Sequence, residues 1–492
     1  MREALPSRPQ KAGDKFMMST TIKFGTDGWR GIIAQDFTFD NVRACSQAVA
    51  DYLKQGDLSH RGLIIGYDNR FASEDFAQAA AEVVAANGIK VYLCPRATPT
   101  PAISFGVLAK KAGGAIIITA SHNPAIWNGF KYKTEDGASA PSEVTAEIEK
   151  HLSRALLLKG KIKRLPLPQA LDQGMVEHLD LESIYTQQLA KLIDPKRLSQ
   201  SKLKVIFDPM YGAGAGYLNQ LLGGGAMKLK EINGERNPLF PGIQPEPIAA
   251  NLNKLSATVK KEKADVGLAT DGDADRLGIV DEKGRFLTQL QVFALLCLYL
   301  LEVRGERGAM VRTITSTTMI DRLGEIFNVP VYETAVGFKY VAPIMMEKDV
   351  IIGGEESGGY GFRGHMPERD GILAGIYFLD FMLKTGKTPS QLLDYLYSKV
   401  GPHYYQRRDF SFPEERRQAI IKGVGDNLPQ SIDGVKVAKT NTSDGFHLTL
   451  ADTSWLLIRS SGTEPVLRIY AESDSQARVE GLLELGRKLA GV

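Results

Sequence analysis

The sequence predicts an α/β protein made of three consecutive α/β domains with mixed sheets and a smaller C-terminal α+β domain. The chain has 492 residues, which is enough for three or four domains of ordinary size. Strand-like runs alternate with helical stretches along most of the chain, as is typical of α/β layering. These runs are residues 63–67, 90–93, 204–208, 266–269, 309–311 and 350–352.

The C-terminal part has a different pattern. From about Phe410 onward, strand-like segments at 446–450, 455–458 and 466–471 precede a final helical segment at 475–489. Consecutive strands followed by a helix indicate an α+β domain. We therefore divide the chain into domain 1 (19–194), domain 2 (195–291), domain 3 (292–408) and domain 4 (409–492).

Residues 1–18 precede the first domain. Residues 1–15 contain several basic residues, two prolines and few apolar residues, so they lack the hydrophobic core of a secretory signal. We expect residues 1–18 to form a disordered leader. The pair Met17 and Met18 leaves open a start codon downstream of Met1.

Composition limits the possible functions. The chain is 43% hydrophobic with a net charge of +3, which describes a soluble globular protein without a basic field for nucleic acid. The longest apolar stretch, 292–303, is too short to cross a bilayer and predicts a buried helix. Cys45, Cys94 and Cys297 are isolated, which favours a reducing compartment, by default the cytoplasm. We expect neither a nucleic-acid partner nor membrane attachment.

Residues 119–131 hold the most informative motif, Thr-Ala-Ser-His-Asn-Pro-Ala-Ile-Trp-Asn-Gly-Phe-Lys. The apolar run 115–118 before it predicts a buried strand whose end delivers Ser121 into a loop. A hydroxyl placed there among a histidine, asparagines and a lysine suits a nucleophile or phosphate carrier. The alternative is a capping or solvated Ser-His pair.

Residues 271–276 read Asp-Gly-Asp-Ala-Asp-Arg between two apolar stretches. Three carboxylates at alternate positions suit Mg²⁺, which takes a few carboxylates together with water or a substrate phosphate. An EF-hand loop is one alternative, since Glu282 occupies its twelfth position, but Arg276 stands where that loop needs glycine. The strand-like flanks favour a strand–loop–strand site, and a solvated acidic turn is the remaining alternative.

Residues 353–359 read Gly-Gly-Glu-Glu-Ser-Gly-Gly after another apolar run. A glutamate and a serine two residues apart on a glycine-rich loop can bind vicinal sugar hydroxyls. A surface turn with incidental polar residues is the alternative.

Residues 459–465 read Arg-Ser-Ser-Gly-Thr-Glu-Pro between two strand-like segments. Hydroxyls, free backbone N–H groups and a guanidinium can form a phosphate cradle. The alternative is a plain β-hairpin turn, which requires none of these side chains.

Taken together, these motifs resemble those of the α-D-phosphohexomutase family, which includes phosphoglucomutases and phosphomannomutases. The resemblance also includes four further segments and covers residues 22–472, nearly the whole chain. These segments are Phe-Gly-Thr-Asp-Gly-Trp-Arg-Gly at 24–31, Gly-Tyr-Asp-Asn-Arg at 66–70, Thr-Pro-Thr-Pro at 98–101 and Gly-Phe-Lys at 337–339. It implies four domains around a central cleft.

The resemblance also implies a reaction. A phosphorylated Ser121 gives its phosphoryl group to one end of a hexose monophosphate, and the resulting bisphosphate returns the other phosphate. Mg²⁺ on Asp271, Asp273, Asp275 and an oxygen of phosphorylated Ser121 supplies part of the charge neutralisation that phosphoryl transfer requires. The family pattern places the remaining catalytic candidates around the transferring phosphate or at the sugar hydroxyls, with Lys131 or His365 as proton-transfer groups. These candidates are Arg30, His122, Lys131, Arg276 and His365.

The substrate-binding residues follow from the same resemblance. Glu355 and Ser357 are expected to hold the sugar in either orientation, while the 459–465 loop grips the phosphate that is not reacting. Binding of this distant phosphate positions the reacting sugar hydroxyl. The full set of substrate-binding candidates is Gly337, Lys339, Glu355, Ser357, Arg459, Ser461, Gly462 and Thr463.

The sugar and the fate of the intermediate stay open at this point. Glu356 at the middle of the Glu-Glu-Ser sequence resembles glucose-type members, which predicts interconversion of glucose 1-phosphate and glucose 6-phosphate, with glucose 1,6-bisphosphate as intermediate and activator. Alternatives are a phosphomannomutase and a synthase that releases glucose 1,6-bisphosphate. A non-catalytic sugar-phosphate sensor and a hydrolase are disfavoured, and we expect a monomer or homodimer.

Overall fold

The computed structural model describes residues 22–25, 27–158, 160–461 and 465–492. The predicted leader at 1–18 and two phosphate-loop candidates, Gly462 and Thr463, lie outside the described residues. The described residues form four sheets, each made by a separate part of the chain.

The first sheet has the strand order β1-β5-β4-β2-β3-β6. Strands β2, β3, β4 and β6 are parallel, whereas β5 runs antiparallel to β1 and β4. Its elements are β1 (Trp29–Ile32), α1 (Phe39–Gln55), β2 (Leu63–Tyr67), α2 (Ser73–Ala86), β3 (Val91–Leu93), α3 (Thr100–Lys110), β4 (Ala115–Ile118), β5 (Trp127–Lys133), α4 (Ser142–Leu157), α5 (Leu167–Asp172) and β6 (Val176–His178).

The second sheet has the order β11-β10-β9-β7-β8. Strands β7, β8 and β9 are parallel, and β9 turns back into β10 as an antiparallel hairpin. Its elements, with the two helices before it, are α6 (Glu182–Leu192), α7 (Pro195–Ser199), β7 (Lys204–Asp208), α8 (Tyr217–Leu222), β8 (Lys228–Glu231), α9 (Asn253–Glu262), β9 (Val266–Thr270), β10 (Leu277–Val280) and β11 (Phe286–Leu287).

The third sheet has the order β13-β12-β14-β15, with β15 antiparallel to β14 and the others parallel. The predicted buried helix over 292–303 is confirmed, since α10 continues as a π-helix at Tyr299–Val303 and most of its side chains are buried. The elements are α10 (Gln289–Leu298), β12 (Ala309–Thr313), α11 (Met319–Phe327), β13 (Val331–Thr334), α12 (Phe338–Glu347), β14 (Val350–Gly354), β15 (Tyr360–Phe362), α13 (Gly371–Thr385) and α14 (Pro389–Val400).

The fourth sheet is antiparallel throughout, in the order β16-β21-β20-β19-β18-β17. Its last helix packs on the strands. The elements are β16 (Tyr404–Ser411), α15 (Arg417–Asp426), β17 (Ser431–Ile432), β18 (Val435–Asn441), β19 (Phe446–Leu450), β20 (Trp455–Ser460), β21 (Val466–Ser473) and α16 (Gln476–Ala490). The predicted fold class, three α/β units and a C-terminal α+β unit, is therefore confirmed.

The predicted domain divisions stay predictions, and two of them fall inside elements. Residue 291 lies within α10 because Thr288 and Gln291 form a capping box that begins this helix at Gln289. Residue 408 lies within β16. We keep the names domain 1 to domain 4 for the parts of the chain that carry the four sheets.

The cores show how the domains are joined. One buried cluster runs from β7 and β9 through α10 to α13, so domains 2 and 3 share a core. Domain 4 has a core of its own and meets domain 3 at a small cluster around Ile314 and Trp455. Among the described residues, none of the helices combines the length and hydropathy that spanning a membrane requires.

Candidate active site

Ser121 lies in the loop between β4 and β5, as the sequence predicts. Its φ of 49° is in the left-handed region, which non-glycine residues rarely adopt outside constrained sites. The loop is held from inside: Ser121 N donates to Thr119 Oγ1 at 2.8 Å, and Arg70 Nη2 donates to the Ser121 carbonyl at 2.6 Å. Arg70 is itself buried and paired with Asp68 at 3.2 Å. These contacts hold the backbone of Ser121 and thereby set the direction in which its side chain leaves the loop.

The acidic motif forms the tip of the β9–β10 hairpin, whose last pair is Thr270 with Leu277. The predicted strand–loop–strand setting is confirmed, and the EF-hand alternative is wrong. Glu282 accepts hydrogen bonds from the backbone N–H and hydroxyl of Ser390. The solvated-turn alternative is also wrong, because the three aspartates of the motif are fully buried.

Glycine at position 272 lets the acidic loop touch the serine loop. A Cβ there would lie 2.4 Å from the Ser121 carbonyl oxygen, so a side chain would separate the loops. Thr100 holds the same tip, since its hydroxyl donates to Asp273 Oδ2 at 2.6 Å and its N–H to the Asp273 carbonyl. The close approach of the two backbones brings the predicted nucleophile and the predicted metal ligands together.

Two groups contact the Ser121 hydroxyl. It donates to Asp271 Oδ2 at 2.7 Å and lies 3.3 Å from His122 Nδ1. Burial lowers the pKa of His122 well below its usual value, and the nearby Arg276 and Arg30 lower it further. The imidazole is therefore neutral near pH 7.

Asp271, Asp273 and Asp275 offer carboxylate oxygens that all lie within 4.8 Å of one another. Among the described residues, Asp273 Oδ1 and Asp275 Oδ1 are buried without a hydrogen-bond partner, which is unusual for buried polar atoms. Burial raises the pKa of Asp271 well above its usual value, and its two neighbours raise it further. A divalent cation would satisfy the orphaned oxygens and relieve this repulsion, so the three residues fit the predicted Mg²⁺.

Lys131 reaches the triad from β5, the strand that follows the serine loop. Its Nζ lies 2.6 Å from Asp27, 2.8 Å from Asp273 and 3.5 Å from Asp275. Burial alone would lower the pKa of Lys131, but these carboxylates raise it above its usual value. Lys131 is therefore a fixed positive charge over a wide pH range.

Arg369 is a site residue that the sequence analysis missed. Its guanidinium contacts Asp27 at 2.8 Å, Asp275 at 2.7 Å and Glu355 at 3.2 Å, so one side chain joins three domains. Glycine at 359 makes room for it, because a Cβ there would lie 2.2 Å from Arg369 Cδ. The sequence places this arginine ten residues after the sugar loop but does not show that it is buried.

The other phosphate-site candidates have different surroundings. Arg30 Nη1 donates to Asn123 Oδ1 at 2.6 Å beside the serine loop. Arg276 Nη1 pairs with Glu246 at 3.2 Å, and its Nε lies 3.9 Å from both Asp271 and Asp275. The structure thus brings both arginines to the rim of the triad.

His365 lies apart from this group. Its Nε2 lies 2.9 Å from Asp370 Oδ2, and its ring packs on Phe105 and Tyr185. Asp370 also accepts from the Tyr185 hydroxyl and caps α13. In the described part of the chain, none of these contacts reaches Ser121 or the triad, so the geometry favours a structural role for His365 over proton transfer.

The sugar loop follows β14. Glu355 is buried and held by Arg369, and burial raises its pKa. Ser357 is half-buried on the same turn. Gly337 begins α12 with a φ of 128°, and Lys339 is half-buried in the first turn of that helix.

The described part of the phosphate loop lies at the end of β20. Arg459 Nε donates to Asp444 Oδ1 at 2.8 Å. The carbonyl of Ser461 accepts from Arg417, and its N–H donates to Val466. The N–H of Val336, next to Gly337, donates to Asp444 Oδ2 at 3.0 Å, so Asp444 joins the phosphate loop to domain 3.

Comparison with known proteins matches four separate parts of the chain. Models of phosphoglucomutase/phosphomannomutase alpha/beta/alpha domains I, II and III match residues 21–157, 183–284 and 289–400, and the model of the C-terminal domain matches 419–485. A phosphoglucomutase/phosphomannomutase from Thermococcus kodakarensis is 31% identical over 95% of this chain and 98% of its own length. The chain belongs to the phosphoglucomutase/phosphomannomutase family. Members are phosphotransferase mutases, so the chain is an enzyme.

Other relatives carry different sugar names. A phosphoglucomutase from Komagataeibacter xylinus is 28% identical over 94% of this chain and 89% of its own length. A relative from Pyrococcus abyssi, named as a probable phosphoglucosamine mutase, is 30% identical over 95% of this chain and 97% of its own. A solved structure from Thermus thermophilus, assigned as a phosphomannomutase, superposes with a TM-score of 0.83 at 34% identity, covering 96% of this chain and all of that one.

Replacing Arg369 by alanine is expected to lower the midpoint of thermal unfolding by about 5 °C, because Asp27, Asp275 and Glu355 each lose a cationic partner. Arg369→Lys should recover part of the loss, since it restores the charge but not the fork-shaped contacts. Differential scanning calorimetry measures the midpoint. Arg363→Ala, which removes a partly exposed arginine paired with Glu306 and Asp349, is the matched control. An equal, small shift in both variants would contradict a central role for Arg369.

Asp273→Asn is expected to weaken Mg²⁺ binding at least about tenfold, because it removes one of three carboxylate charges. Isothermal titration with Mg²⁺ measures this directly, without reference to turnover. Glu282→Gln is the control, since Glu282 belongs to the same hairpin region but binds Ser390. Equal Mg²⁺ affinity in Asp273→Asn and the unaltered enzyme would show that the triad is not the metal site.

Proposed function

We propose that the enzyme interconverts glucose 1-phosphate and glucose 6-phosphate through phosphorylated Ser121 and a glucose 1,6-bisphosphate intermediate. The observation that carries the proposal is the position of Ser121 Oγ, 2.7 Å from Asp271 of the acidic triad. A hydroxyl held beside three buried carboxylates can carry a phosphoryl group, and a cation bound by the carboxylates would bind that phosphoryl group. The proposal places phosphate transfer at this point and sugar recognition at the loops of domains 3 and 4.

In the proposed step, the Ser121 Oγ–P bond breaks while a sugar hydroxyl oxygen forms a new bond to the same phosphorus. The sugar hydroxyl loses its proton, and the Ser121 oxygen gains one. In the return step, the hydroxyl of Ser121 attacks the other phosphate of the bisphosphate and gives up its proton. Asp271 Oδ2, which accepts the hydrogen bond of this hydroxyl at 2.7 Å, and His122 Nδ1, 3.3 Å from Ser121 Oγ, are both placed to accept that proton.

The positive side chains at the triad align the transferring group and balance its charge. Lys131 stays protonated beside Asp273, so we assign it electrostatic stabilisation rather than base catalysis. Arg276, 3.9 Å from Asp271, is placed on the other side of the same group. A bound Mg²⁺ would neutralise phosphate charge at the triad.

Substrate positioning is assigned to the loops that the sequence predicts. Glu355 and Ser357 take the sugar hydroxyls, and Arg459 with Ser461 takes the phosphate that is not reacting. The sugar itself is assigned as glucose from the Glu-Glu-Ser sequence and from the phosphoglucomutases among the relatives. A cytoplasmic location and a monomeric or homodimeric state remain predictions.

The function is tested by supplying glucose 1-phosphate with and without a catalytic amount of glucose 1,6-bisphosphate, and following all phosphosugars by ³¹P NMR. Interconversion of the monophosphates with only traces of bisphosphate supports the mutase. A parallel reaction supplies another bisphosphorylated sugar or glycerate as donor. Stoichiometric accumulation of glucose 1,6-bisphosphate there, with slow interconversion, would identify a bisphosphate synthase instead. Mannose and glucosamine phosphates in the same assay test the sugar.

Ser121→Ala is expected to abolish transfer while leaving the fold intact, because it removes a loop hydroxyl without opening a core cavity. Intact-protein mass spectrometry of the unaltered enzyme should show a phosphorylated fraction that maps to Ser121. Ser142→Ala, at an exposed position of domain 1, is the control for serine replacement. Retained transfer in Ser121→Ala, or phosphate found reproducibly on another residue, would overturn the phosphoserine mechanism.

A further inference from the structure

Glu356 lies between two proposed sugar-binding residues, but its carboxylate faces domain 4. Its Oε1 accepts a hydrogen bond from the Tyr405 hydroxyl at 3.0 Å and lies 3.8 Å from Arg407 Nη1. Both partners belong to β16, the first strand of domain 4. Arg407 is held mainly by Asp409 at 2.7 Å, so Tyr405 is the direct partner of Glu356.

Tyr405 also belongs to the apolar contact between domains 3 and 4. Its ring packs 6.1 Å from that of Trp455, and both lie in the small cluster that contains Ile314 of domain 3. The hydroxyl at the far end of the same side chain reaches the sugar loop. Tyr405 therefore links the apolar contact between the two domains to the sugar loop at Glu356.

Other polar contacts also cross this boundary, among them a hydrogen bond from Asn441 Nδ2 to Glu333 Oε1 at 2.9 Å. Glu472 of domain 4 accepts from the N–H and hydroxyl of Thr318, at the start of α11. Asp444 accepts from Val336 and from Arg459. These contacts, unlike that of Glu356, do not involve the sugar loop. The hydrogen bond from Tyr405 to Glu356 therefore links domain 4 directly to the sugar loop.

We propose that Glu356 is a positioning residue that holds domain 4 against the sugar loop through Tyr405, and so retains the bisphosphate intermediate between its two transfer steps. This inference rests on the proposed function. Loss of the contact shortens the time for which domain 4 stays closed, while the transferring groups on domains 1 and 2 are untouched. The intermediate then leaves more often before it has reoriented.

The test compares Glu356→Ala, Tyr405→Phe and the double variant. We expect each single variant to release about tenfold more glucose 1,6-bisphosphate per turnover, since a hydrogen bond to a charged group is lost. The double variant should be no worse than either single variant, because both remove the same contact. Glu356→Gln should recover part of the retention, since its amide oxygen can still accept from Tyr405. Tyr404→Phe, at an exposed neighbouring position, is the matched control.

A second readout does not depend on turnover. Hydrogen exchange of residues 404–411 and the small-angle scattering radius should both increase in Glu356→Ala and Tyr405→Phe but not in Tyr404→Phe. If the unaltered enzyme proves not to be a mutase, these measurements still decide whether Glu356 holds domain 4. Unchanged exchange together with an altered glucose-to-mannose ratio of kcat/KM would overturn the inference and make Glu356 a sugar-reading residue. Additive effects in the double variant would also contradict it.

Discussion

Four carboxylates are buried at one point of this molecule, and the surrounding structure has to compensate their repulsion. Lys131 and Arg369 together contact Asp27, Asp273 and Asp275, and Arg276 Nε lies 3.9 Å from the fourth carboxylate, that of Asp271. Buried like charges at this spacing are strongly unfavourable unless they are paired and hydrogen-bonded. Because the two cations come from domains 1 and 3 and the triad from domain 2, the pairing itself assembles these domains.

The same constraint explains the tight backbone geometry. Asp271 can accept a hydrogen bond from Ser121 only if the two loops touch, and glycine at 272 permits that contact. The strained φ of Ser121 is supported by Arg70 and Thr119. Two residues that contribute no catalytic group therefore determine where the reacting hydroxyl lies. A network of buried ion pairs is a weak source of net stability, but it defines one arrangement of the loops.

The sequence was informative where the chemistry is local. Ser121 and the aspartates lie within short motifs next to apolar runs, so their place at strand ends followed from the pattern of the chain.

Arg369 was missed because its partners are far away in sequence, Asp27 being 342 residues distant. Glu356 predicted the sugar through its place in the motif, but the sequence could not show that its carboxylate faces β16. His365 has a catalytic residue type, but its partner Asp370 lies outside the triad. Two of the predicted domain divisions fall inside elements, since residue 291 lies in the first turn of α10 and residue 408 lies within β16.

The domains differ in how firmly they are joined. That difference matches two tasks of the proposed reaction, the transfer of one phosphate and the binding of the other. Domains 2 and 3 share a hydrophobic core, and domain 1 is tied to both by buried ion pairs. Domain 4 has its own core and meets the rest through a small apolar cluster and a few polar contacts. Small interfaces of this kind permit relative domain motion. The groups to which we assign phosphate transfer therefore lie in the firmly joined domains, whereas the loop to which we assign the remote phosphate lies on domain 4. An intermediate that must turn end over end needs such an arrangement, because the reacting groups have to stay fixed while the grip opens and closes.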